Sequence, residues 1–348
     1  MKQVAEDRPM TLHITHYLRQ SRPGVFSIER LYEDVRAALP SDCQARTWTC
    51  RHPSTGLWPR LRDAWAARKA QGDVNHVTGD THYLTYFLGR RRTVLTVHDL
   101  VSLGRLRGVK RWLLWLLWYW LPVRRSQVVV TISEATRSAL LDSVHCDPAK
   151  VVVIHNPVSE EFQYAPATFN ATHPRILHIG ITPNKNLERV AQALAGIDCT
   201  LVVIGPLSPE QSAMLVHQGI AFENHSNLSR DELLDQYIRC DLLLFASTYE
   251  GFGLPIIEAQ AVGRPVVTSD LAPMPEAAGG AACLVDPYDV ASIRQGVLRV
   301  MGDAAYRDDL VARGWANVER FRADRVAARY AQLYRAVAAG CTRFHFSG

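Results

Sequence analysis

The segment STYEGFGLPIIE, residues 247–258, places a carboxylate on each side of a glycine-rich turn. Glycine lets a backbone approach a ligand closely, and Pro255 suits the first turn of a helix. A helix start with free N–H groups favours phosphate, while Glu250 and Glu258 offer acceptors for sugar hydroxyls. The pattern predicts a nucleotide-binding site, in which the carboxylates accept hydrogen bonds from the sugar hydroxyls of the nucleotide. The simpler alternative is a helix whose acidic first turn is only stabilised by its dipole.

A second candidate turn follows the apolar run RILHIG, residues 175–180. It contains Gly180 and, five residues later, Lys185. A fixed ammonium in a turn that follows a strand can stabilise negative charge on a ligand. The alternative for Lys185 is a solvated side chain at the start of a helix.

Polar side chains also follow apolar runs in the first half of the chain. His98 ends the run TVLTVH, and we expect it either to hydrogen-bond a sugar hydroxyl or to be tied to a backbone carbonyl. No histidine, cysteine or carboxylate here has a recognised metal-ligand spacing, so no metal is predicted. The weaker candidates for contact with an acceptor are Gly24, Ser27, His76, Asp80, His82 and Asp99.

These candidate residues follow strand-like runs that alternate with amphipathic helices. Continuous Val, Ile and Leu runs indicate parallel strands covered on both faces. The predicted strands are 11–18, 73–79, 93–98, 127–132, 150–155, 175–180, 200–205, 241–246 and 264–270. The predicted helices are 25–39, 184–197, 208–218, 231–240 and 254–263, with one more that Ser133 caps.

The pattern predicts an α/β fold with two tandem, Rossmann-like, doubly wound domains and a ligand cleft between them. We expect the first domain at 1–160 and the second at 170–320. The join near 156–174 is polar and contains proline. Residues 321–348 are expected to form a C-terminal helix that packs back toward the N-terminal domain.

The stretch from Glu250 to Glu258 resembles the E-x7-E signature of retaining GT-B glycosyltransferases of family 4, also called group 1. Residues 228–287 resemble that family nearly throughout, and residues 178–194 resemble its phosphate-binding turn. The family often has an arginine where this chain has Ile181 or Asn184. The resemblance implies catalytic roles for His98, Lys185 and Glu250. In that role, Lys185 would stabilise the negative charge that a departing nucleoside diphosphate accumulates. The resemblance also implies donor contacts for Gly180, Asn184, Lys185, Gly205, Asn227, Glu250, Gly251, Phe252, Gly253, Leu254 and Glu258.

The resemblance further implies a retaining, metal-independent transferase without a resident cofactor. Its domain at 1–160 would be the acceptor-side domain, and its domain at 170–320 would bind the nucleotide-sugar donor. This transferase would move a hexose from a nucleotide sugar to a glycan or lipid-linked glycan, in the synthesis of bacterial cell-surface polysaccharide. The leaving phosphate would help to deprotonate the acceptor hydroxyl. A nucleotide-sugar epimerase and a degenerate, non-catalytic nucleotide-sugar-binding subunit remain open. No binding of nucleic acid is expected.

Positive charge is concentrated in the first half. Residues 1–170 hold 23 Lys and Arg against 15 Asp and Glu, whereas residues 171–348 hold 16 against 19. Seven cysteines without a metal or disulfide spacing, and no signal-peptide pattern, favour the cytoplasm. Peripheral contact with an anionic membrane is one interpretation of the Trp-rich segment 112–121, and a buried helix is the other. The candidates for membrane contact are Arg107, Lys110, Arg111, Trp112, Trp115 and Trp118.

Overall fold

The computed structural model describes residues 11–20, 27–341, 343 and 344. The chain divides into two compact units. The first unit contains the chain up to His155 and again from Ala323, and the second unit is Asn156–Arg322.

The first unit contains a six-stranded parallel sheet. Its strands are β1 (Leu12–Leu18), β2 (Cys43–Thr49), β3 (Val74–Val77), β4 (Thr93–Val97), β5 (Val128–Thr131) and β6 (Val151–Val153). Their order across the sheet is β2-β1-β3-β4-β5-β6. The central strands β3, β4 and β5 are buried throughout, as expected for a sheet covered on both faces.

Among the described residues, six α-helices lie between these strands in the sequence. They are α1 (Ser27–Ala37), α2 (Leu57–Ala67), α3 (Val101–Arg105), α4 (Gly108–Leu114), α5 (Leu121–Arg125) and α6 (Glu134–Ser143). The hydroxyl of Ser133 accepts a hydrogen bond from the Thr136 amide at 3.1 Å, so the predicted cap of α6 is confirmed.

The second unit repeats this architecture with another six-stranded parallel sheet, in the order β12-β11-β10-β7-β8-β9. Its strands are β7 (Arg175–Ile179), β8 (Thr200–Ile204), β9 (Ala221–His225), β10 (Leu242–Phe245), β11 (Val266–Ser269) and β12 (Cys283–Val285). Its helices are α7 (Leu187–Leu194), α8 (Pro209–His217), α9 (Arg230–Arg239), α10 (Leu254–Ala261), α11 (Met274–Ala278), α12 (Val290–Gly302) and α13 (Ala304–Val318).

The last helix, α14 (Ala323–Ala338), belongs to the first unit. Its buried Tyr330 and Tyr334 lie against β1 and β3 of that unit's sheet. The Tyr334 hydroxyl is 2.9 Å from His16 Nε2 and 2.7 Å from His76 Nδ1. Buried hydrogen bonds and apolar contacts therefore hold α14 on this sheet.

The Trp-rich segment forms α4, a π-helical turn at Trp115–Trp120, and α5. Trp112 is 55% exposed, whereas Trp118 is 8% exposed and donates its indole N–H to Asp80 at 2.8 Å. The proposed membrane contact of Trp118 is therefore wrong, because its ring belongs to the core. Trp115 is partly buried and donates to the Ser143 carbonyl. Among the described residues, no helix combines the length and apolarity needed to cross a membrane.

Short 3-10 helices lie between the longer elements in both units. They lie at Arg68–Ala70, His82–Tyr86, Arg90–Arg92, Pro148–Lys150, Pro183–Lys185 and Glu319–Phe321.

Candidate active site

The glycine-rich loop joins the carboxyl end of β10 to the start of α10. Gly253 immediately precedes the helix with a φ of +110°, a conformation that side chains rarely adopt. A Cβ at Gly253 would also lie 3.0 Å from Ile256 Cδ1. Pro255 lies in the first turn, where its missing N–H removes no helical hydrogen bond. The first backbone N–H groups of a helix have no partner within the helix, and those at the start of α10 follow this loop, where they can bind phosphate.

The side chain of Phe252 holds this loop against the interior of the second unit. It is only 3% exposed and meets Phe321 edge-on, with ring centroids 5.5 Å apart. The backbone around Phe252, rather than its ring, is therefore the part that can contact a ligand.

Glu258, on α10, is held by Tyr237 of α9. The Tyr237 hydroxyl donates to Glu258 Oε2 at 2.5 Å, and among the described residues no hydrogen bond reaches Oε1. Burial raises the pKa of Glu258, partly offset by the Tyr237 hydrogen bond and by nearby Arg230. Tyr237 is itself buried and meets Phe162 edge-on at 5.4 Å. The carboxylate is thus fixed with one oxygen left for a ligand hydroxyl.

Lys185 and Glu250 come together from two different strand ends. Lys185 Nζ lies 2.6 Å from Glu250 Oε1, and the two side chains are 17% and 14% exposed. Nζ is also 4.6 Å from the ring centroid of Phe245, the last residue of β10. A Cβ at Gly180, where φ is +90°, would lie 2.9 Å from Lys185 Cε. Gly180 therefore leaves the space that the lysine stem occupies on its way to Glu250.

Two asparagines tie the turn after β7 to the end of β10. Asn184 Nδ2 donates to the Tyr249 carbonyl at 2.9 Å, and the Asn184 carbonyl accepts from the Thr248 amide at 2.8 Å. Asn186, in the left-handed conformation at φ +63°, donates to the Ala246 carbonyl at 3.0 Å. These bonds fix the turn that carries Lys185 against the loop that carries Glu250.

The two positions where the family often has arginine serve local packing in this chain. The Asn184 side chain is used in the link to Tyr249. A Cβ at Gly205 would lie 3.0 Å from Ile181 Cγ2, so Ile181 lies over that glycine.

Gly205 and Asn227 follow the neighbouring strands β8 and β9. Gly205, with φ +137°, donates its amide to the His225 carbonyl at 2.7 Å. Asn227 is exposed and left-handed at φ +56°. Both lie at the same edge of the sheet as the Lys185 turn, because all strands of this sheet are parallel.

In the first unit, His98 adopts the second of its two expected states. Its Nε2 lies 2.8 Å from the Thr78 carbonyl, which can only accept, so Nε2 carries the hydrogen. Burial lowers the pKa of His98, and the neutral ring then carries its lone pair on Nδ1. Asp99 accepts the Val101 amide at 3.0 Å, at the start of α3.

The predictions that His76 and His82 contact an acceptor are wrong. His76 is fully buried, and both ring nitrogens are bonded: Nδ1 to Tyr334, and Nε2 to Thr96 at 2.8 Å. His82 is 4% exposed and bonds the Trp118 carbonyl at 2.7 Å.

The remaining acceptor-side candidates have mixed outcomes. Asp80 is exposed, and its Oδ1 accepts the Trp118 indole N–H. Ser27 begins α1, and Gly24 lies outside the described residues. Among the residues that the structure describes, no three His, Cys, Asp or Glu side chains form a group that could hold a metal ion.

Two adjoining family models match the chain. One, described as Glycosyltransferase Family 4, matches residues 16–162, and the other, described as Glycosyl transferases group 1, matches residues 173–303. The chain belongs to the group 1, or family 4, glycosyltransferases.

Several curated relatives of this glycosyltransferase are mannosyltransferases. O-antigen chain mannosyltransferase B of Escherichia coli is 27% identical over 310 residues, covering 80% of this chain and 78% of that protein. MMP alpha-(1->4)-mannosyltransferase of Mycolicibacterium hassiacum is 26% identical over 333 residues, covering 85% and 80%. The serotype-specific mannosyltransferase WbdA of Escherichia coli is 24% identical over 257 residues, covering 66% of this chain but only 32% of WbdA.

Solved structures share the fold of this glycosyltransferase. Anabaena HepE in complex with UDP and glucose superposes with a TM-score of 0.74 at 15% identity, covering 93% of this chain and 100% of HepE. WaaG, a glycosyltransferase involved in lipopolysaccharide biosynthesis, gives 0.67 at 12% identity, covering 92% and 99%. The two sheets with flanking helices are therefore the two Rossmann-like domains of a GT-B fold.

Sequence reasoning missed several side chains that support the glycosyltransferase site. Tyr237 and Asn186 act through buried hydrogen bonds to residues that are distant in sequence. Asn186 had one available signal, since asparagine adopts the left-handed conformation more readily than most residues. The partnership of Tyr237 with Glu258 left no local pattern, because the two residues meet only when α9 packs beside α10.

Proposed function

We propose that the chain is a retaining transferase that moves a hexosyl group from a nucleoside diphosphate sugar to a hydroxyl of a glycan or lipid-linked glycan. The observation that carries the proposal is the contact between Lys185 and Glu250 at the carboxyl ends of β7 and β10. Glu258 lies one turn into α10, whose first N–H groups follow the loop that carries Glu250. A cation, two carboxylates and a helix start together suit a diphosphate, a sugar and a ribose.

Each group has a proposed role in binding the donor. Lys185 stabilises the diphosphate as negative charge develops on it, and the helix start of α10 binds the phosphate oxygens. Glu250 contacts the donor sugar, and the second oxygen of Glu258 accepts hydrogen bonds from the ribose. The fixed positions of these groups supply orientation and charge stabilisation before the reaction begins.

The proposed reaction is a front-face displacement. The acceptor oxygen bonds to the anomeric carbon on the face from which the diphosphate leaves, so the configuration is retained. The bond from that carbon to the diphosphate oxygen breaks, and its electron pair leaves with the diphosphate. The proton of the acceptor hydroxyl passes to a leaving-phosphate oxygen. In this proposal the reaction requires no metal and no resident cofactor.

Mannose is the hexose that the relatives favour, since three of them are named mannosyltransferases. The name of O-antigen chain mannosyltransferase B supports a role in bacterial surface-polysaccharide synthesis. We propose that this role is carried out at the cytoplasmic side of the membrane. The exposed Trp112 and its neighbours Arg107, Lys110 and Arg111 support a peripheral contact with anionic lipid.

A donor screen with an acceptor-dependence assay tests this proposal. We expect one of GDP-mannose, UDP-glucose, ADP-glucose and dTDP-glucose to raise Tm, and its nucleoside diphosphate to be released faster when methyl α-mannoside is present. Conversion of the donor sugar without an acceptor would favour the epimerase. Tight binding with no transfer to any glycan would favour the non-catalytic subunit.

A further inference from the structure

A small polar pocket, which we call the hydroxyl pocket, lies at the carboxyl ends of β1, β2 and β3 in the first unit. Its lining includes Arg19, which follows β1, then Cys50 and His52, which follow β2, and Asp80 and Thr81, which follow β3. Its volume is about 30 Å³. A cavity needs roughly 10–15 Å³ to hold one water, so the pocket admits a pair of hydroxyl-sized groups.

A histidine–aspartate pair forms one wall of the hydroxyl pocket. His52 Nδ1 lies 2.8 Å from Asp63 Oδ1, and the Asp63 side chain is 2% exposed. The Asp63 carboxylate also accepts the backbone amides of His52, at 3.1 Å, and Arg51, at 3.4 Å. A carboxylate with these donors is an acceptor, so Nδ1 of His52 carries the hydrogen. The His52 ring, whose side chain is 39% exposed, is thus oriented with Nε2 available to a ligand.

Thr81 supplies an unsatisfied polar atom to the same pocket. The residue is fully buried, and its Oγ1 has no hydrogen-bond partner among the described residues. A buried hydroxyl without a partner destabilises the folded state, so a ligand that bonds Oγ1 gains that interaction. The hydroxyl pocket therefore favours a ligand group that can both donate and accept a hydrogen bond.

The local charges favour a neutral ligand over phosphate. Arg19 is paired with Glu29 at 2.6 Å, and Arg60 donates to the carbonyl of Ser54 in the pocket wall at 2.7 Å. Carboxylates of Glu29, Asp63 and Asp80 stand against these two arginines. An anion would meet no net positive charge here, whereas a sugar diol needs only donors and acceptors.

We propose that the hydroxyl pocket binds a neighbouring pair of hydroxyl groups on the acceptor sugar. His52 Nε2 and Thr81 Oγ1 bond to these hydroxyls, and Asp63 is a positioning residue that orients His52. This rests on the proposed function, which supplies the glycan acceptor. His52 and Thr81 take the acceptor-binding role that the sequence predicted for His76 and His82, because each of them has an atom available to a ligand.

Two conservative variants test the pocket. Thr81→Val removes the unpartnered hydroxyl without changing the side-chain shape, so a purely structural role predicts an unchanged or raised Tm and unchanged ligand binding. His52→Asn keeps an amide near the position of Nδ1 for Asp63 but removes Nε2. We expect each variant to weaken binding of methyl α-mannoside about 3- to 10-fold, as loss of one hydrogen bond implies. Binding is measured on the full chain by saturation-transfer NMR.

The matched controls are Thr93→Val and His145→Asn, which change the same residue types elsewhere in the first unit. We expect parent-like binding of methyl α-mannoside in both, and parent-like donor-induced Tm shifts in all four variants. Inorganic phosphate is the competing probe, and we expect it not to displace the sugar.

Equal binding of methyl α-mannoside by the parent, Thr81→Val and His52→Asn would overturn the pocket, as would no binding by the parent. Displacement of the sugar by phosphate would overturn the preference for a neutral ligand. The proposed function fails separately, when no nucleotide sugar shifts the Tm of the parent.

Discussion

Lys185 Nζ lies 2.6 Å from Glu250 Oε1, although 65 residues separate the two in sequence. Because both side chains are largely buried, this contact is less screened by solvent than a surface ion pair. The ammonium is therefore already in position and charge-compensated before any ligand binds. In the proposed reaction, a diphosphate that enters beside Lys185 would replace part of the charge compensation that Glu250 provides.

Replacement of Lys185 should reduce turnover more than it changes donor binding. We expect Lys185→Ala to lower kcat about 100-fold, because the cation acts most strongly on the charge that develops as the diphosphate leaves. Lys185→Arg should recover part of this loss. Steady-state release of nucleoside diphosphate measures both variants, and a Lys185→Ala kcat within a factor of about two of the parent would contradict the assigned role.

Replacement of Tyr237, which holds Glu258, should change the KM for the donor more than the KM for the acceptor. We expect Tyr237→Phe to raise the donor KM about 3- to 10-fold, since the buried carboxylate loses one hydrogen bond and its fixed orientation. The acceptor KM should stay at the parent value. Initial rates over a matrix of both substrates separate the two constants. Equal changes in both would contradict a role of Tyr237 at the donor site.

The buried carboxyl group of Glu258 predicts a pH-dependent stability. Since the folded-state pKa is raised, ionised Glu258 opposes folding above that pKa, and the opposition disappears as pH falls toward the unfolded value of about 4.3. Glu258→Gln should therefore be more stable than the parent at pH 8, and the difference should shrink as the pH is lowered. Thermal melts from pH 8 to pH 5 measure this, and a difference that grows in acid would contradict it.

The buried histidines of the first unit predict a free energy of unfolding that decreases as the pH falls, opposite to the effect of Glu258. Burial lowers the pKa of His16 to about 3 and holds the pKa of His76 well below its usual range. Each contributes stability that is present above the unfolded value of about 6.5 and is lost as the pH falls below it. We expect His76→Gln to reduce the slope of unfolding free energy against pH by about 1.4 kcal/mol per pH unit between pH 6 and pH 5. Denaturant unfolding at several pH values measures the slope, and an unchanged slope would contradict neutral burial of His76.

The exposed end of the Trp-rich segment predicts salt-sensitive lipid binding. We expect the triple change Arg107→Glu, Lys110→Glu and Arg111→Glu to abolish flotation with vesicles of phosphatidylglycerol, because it reverses the charges beside exposed Trp112. Trp112→Ala should weaken flotation at every salt concentration.

A control for lipid binding reverses the same number of charges in the second unit, at the exposed Arg239, Arg299 and Arg313. This variant should float like the parent. If both triple variants lose flotation equally, net charge rather than the surface around Trp112 explains the binding. If neither loses it, that surface has no part in lipid contact.

The sequence was sufficient to predict the interior of both sheets, because buried parallel strands consist of uninterrupted apolar residues. The three unpredicted strands, β2, β9 and β12, are all edge strands. Strands β2 and β9 carry polar residues at exposed or half-buried positions, as in CQARTWT and AFENH. β12 has only three residues. Their strand conformation depends on pairing with a neighbour, which no local pattern records.

The site was predictable to the extent that its residues follow strands. Lys185, Glu250 and Glu258 could be placed because parallel strands present their carboxyl ends at one edge. The same rule failed for His76, which lies within β3 rather than after it and is covered by α14. His52 and Asp63 were missed because neither residue follows a strand that the sequence pattern had predicted. A loop and a helix bring the two side chains together.

The stereochemistry of a single turnover product tests the central claim most directly. The parent enzyme is incubated with GDP-mannose, whose sugar is α-linked to the diphosphate, and with methyl α-mannoside, and the disaccharide is examined by NMR. We predict an α-linked disaccharide with one GDP released per linkage formed, and a rate that falls about 100-fold in Lys185→Ala. A β-linked disaccharide, or an α-linked product formed equally fast by Lys185→Ala, would contradict it.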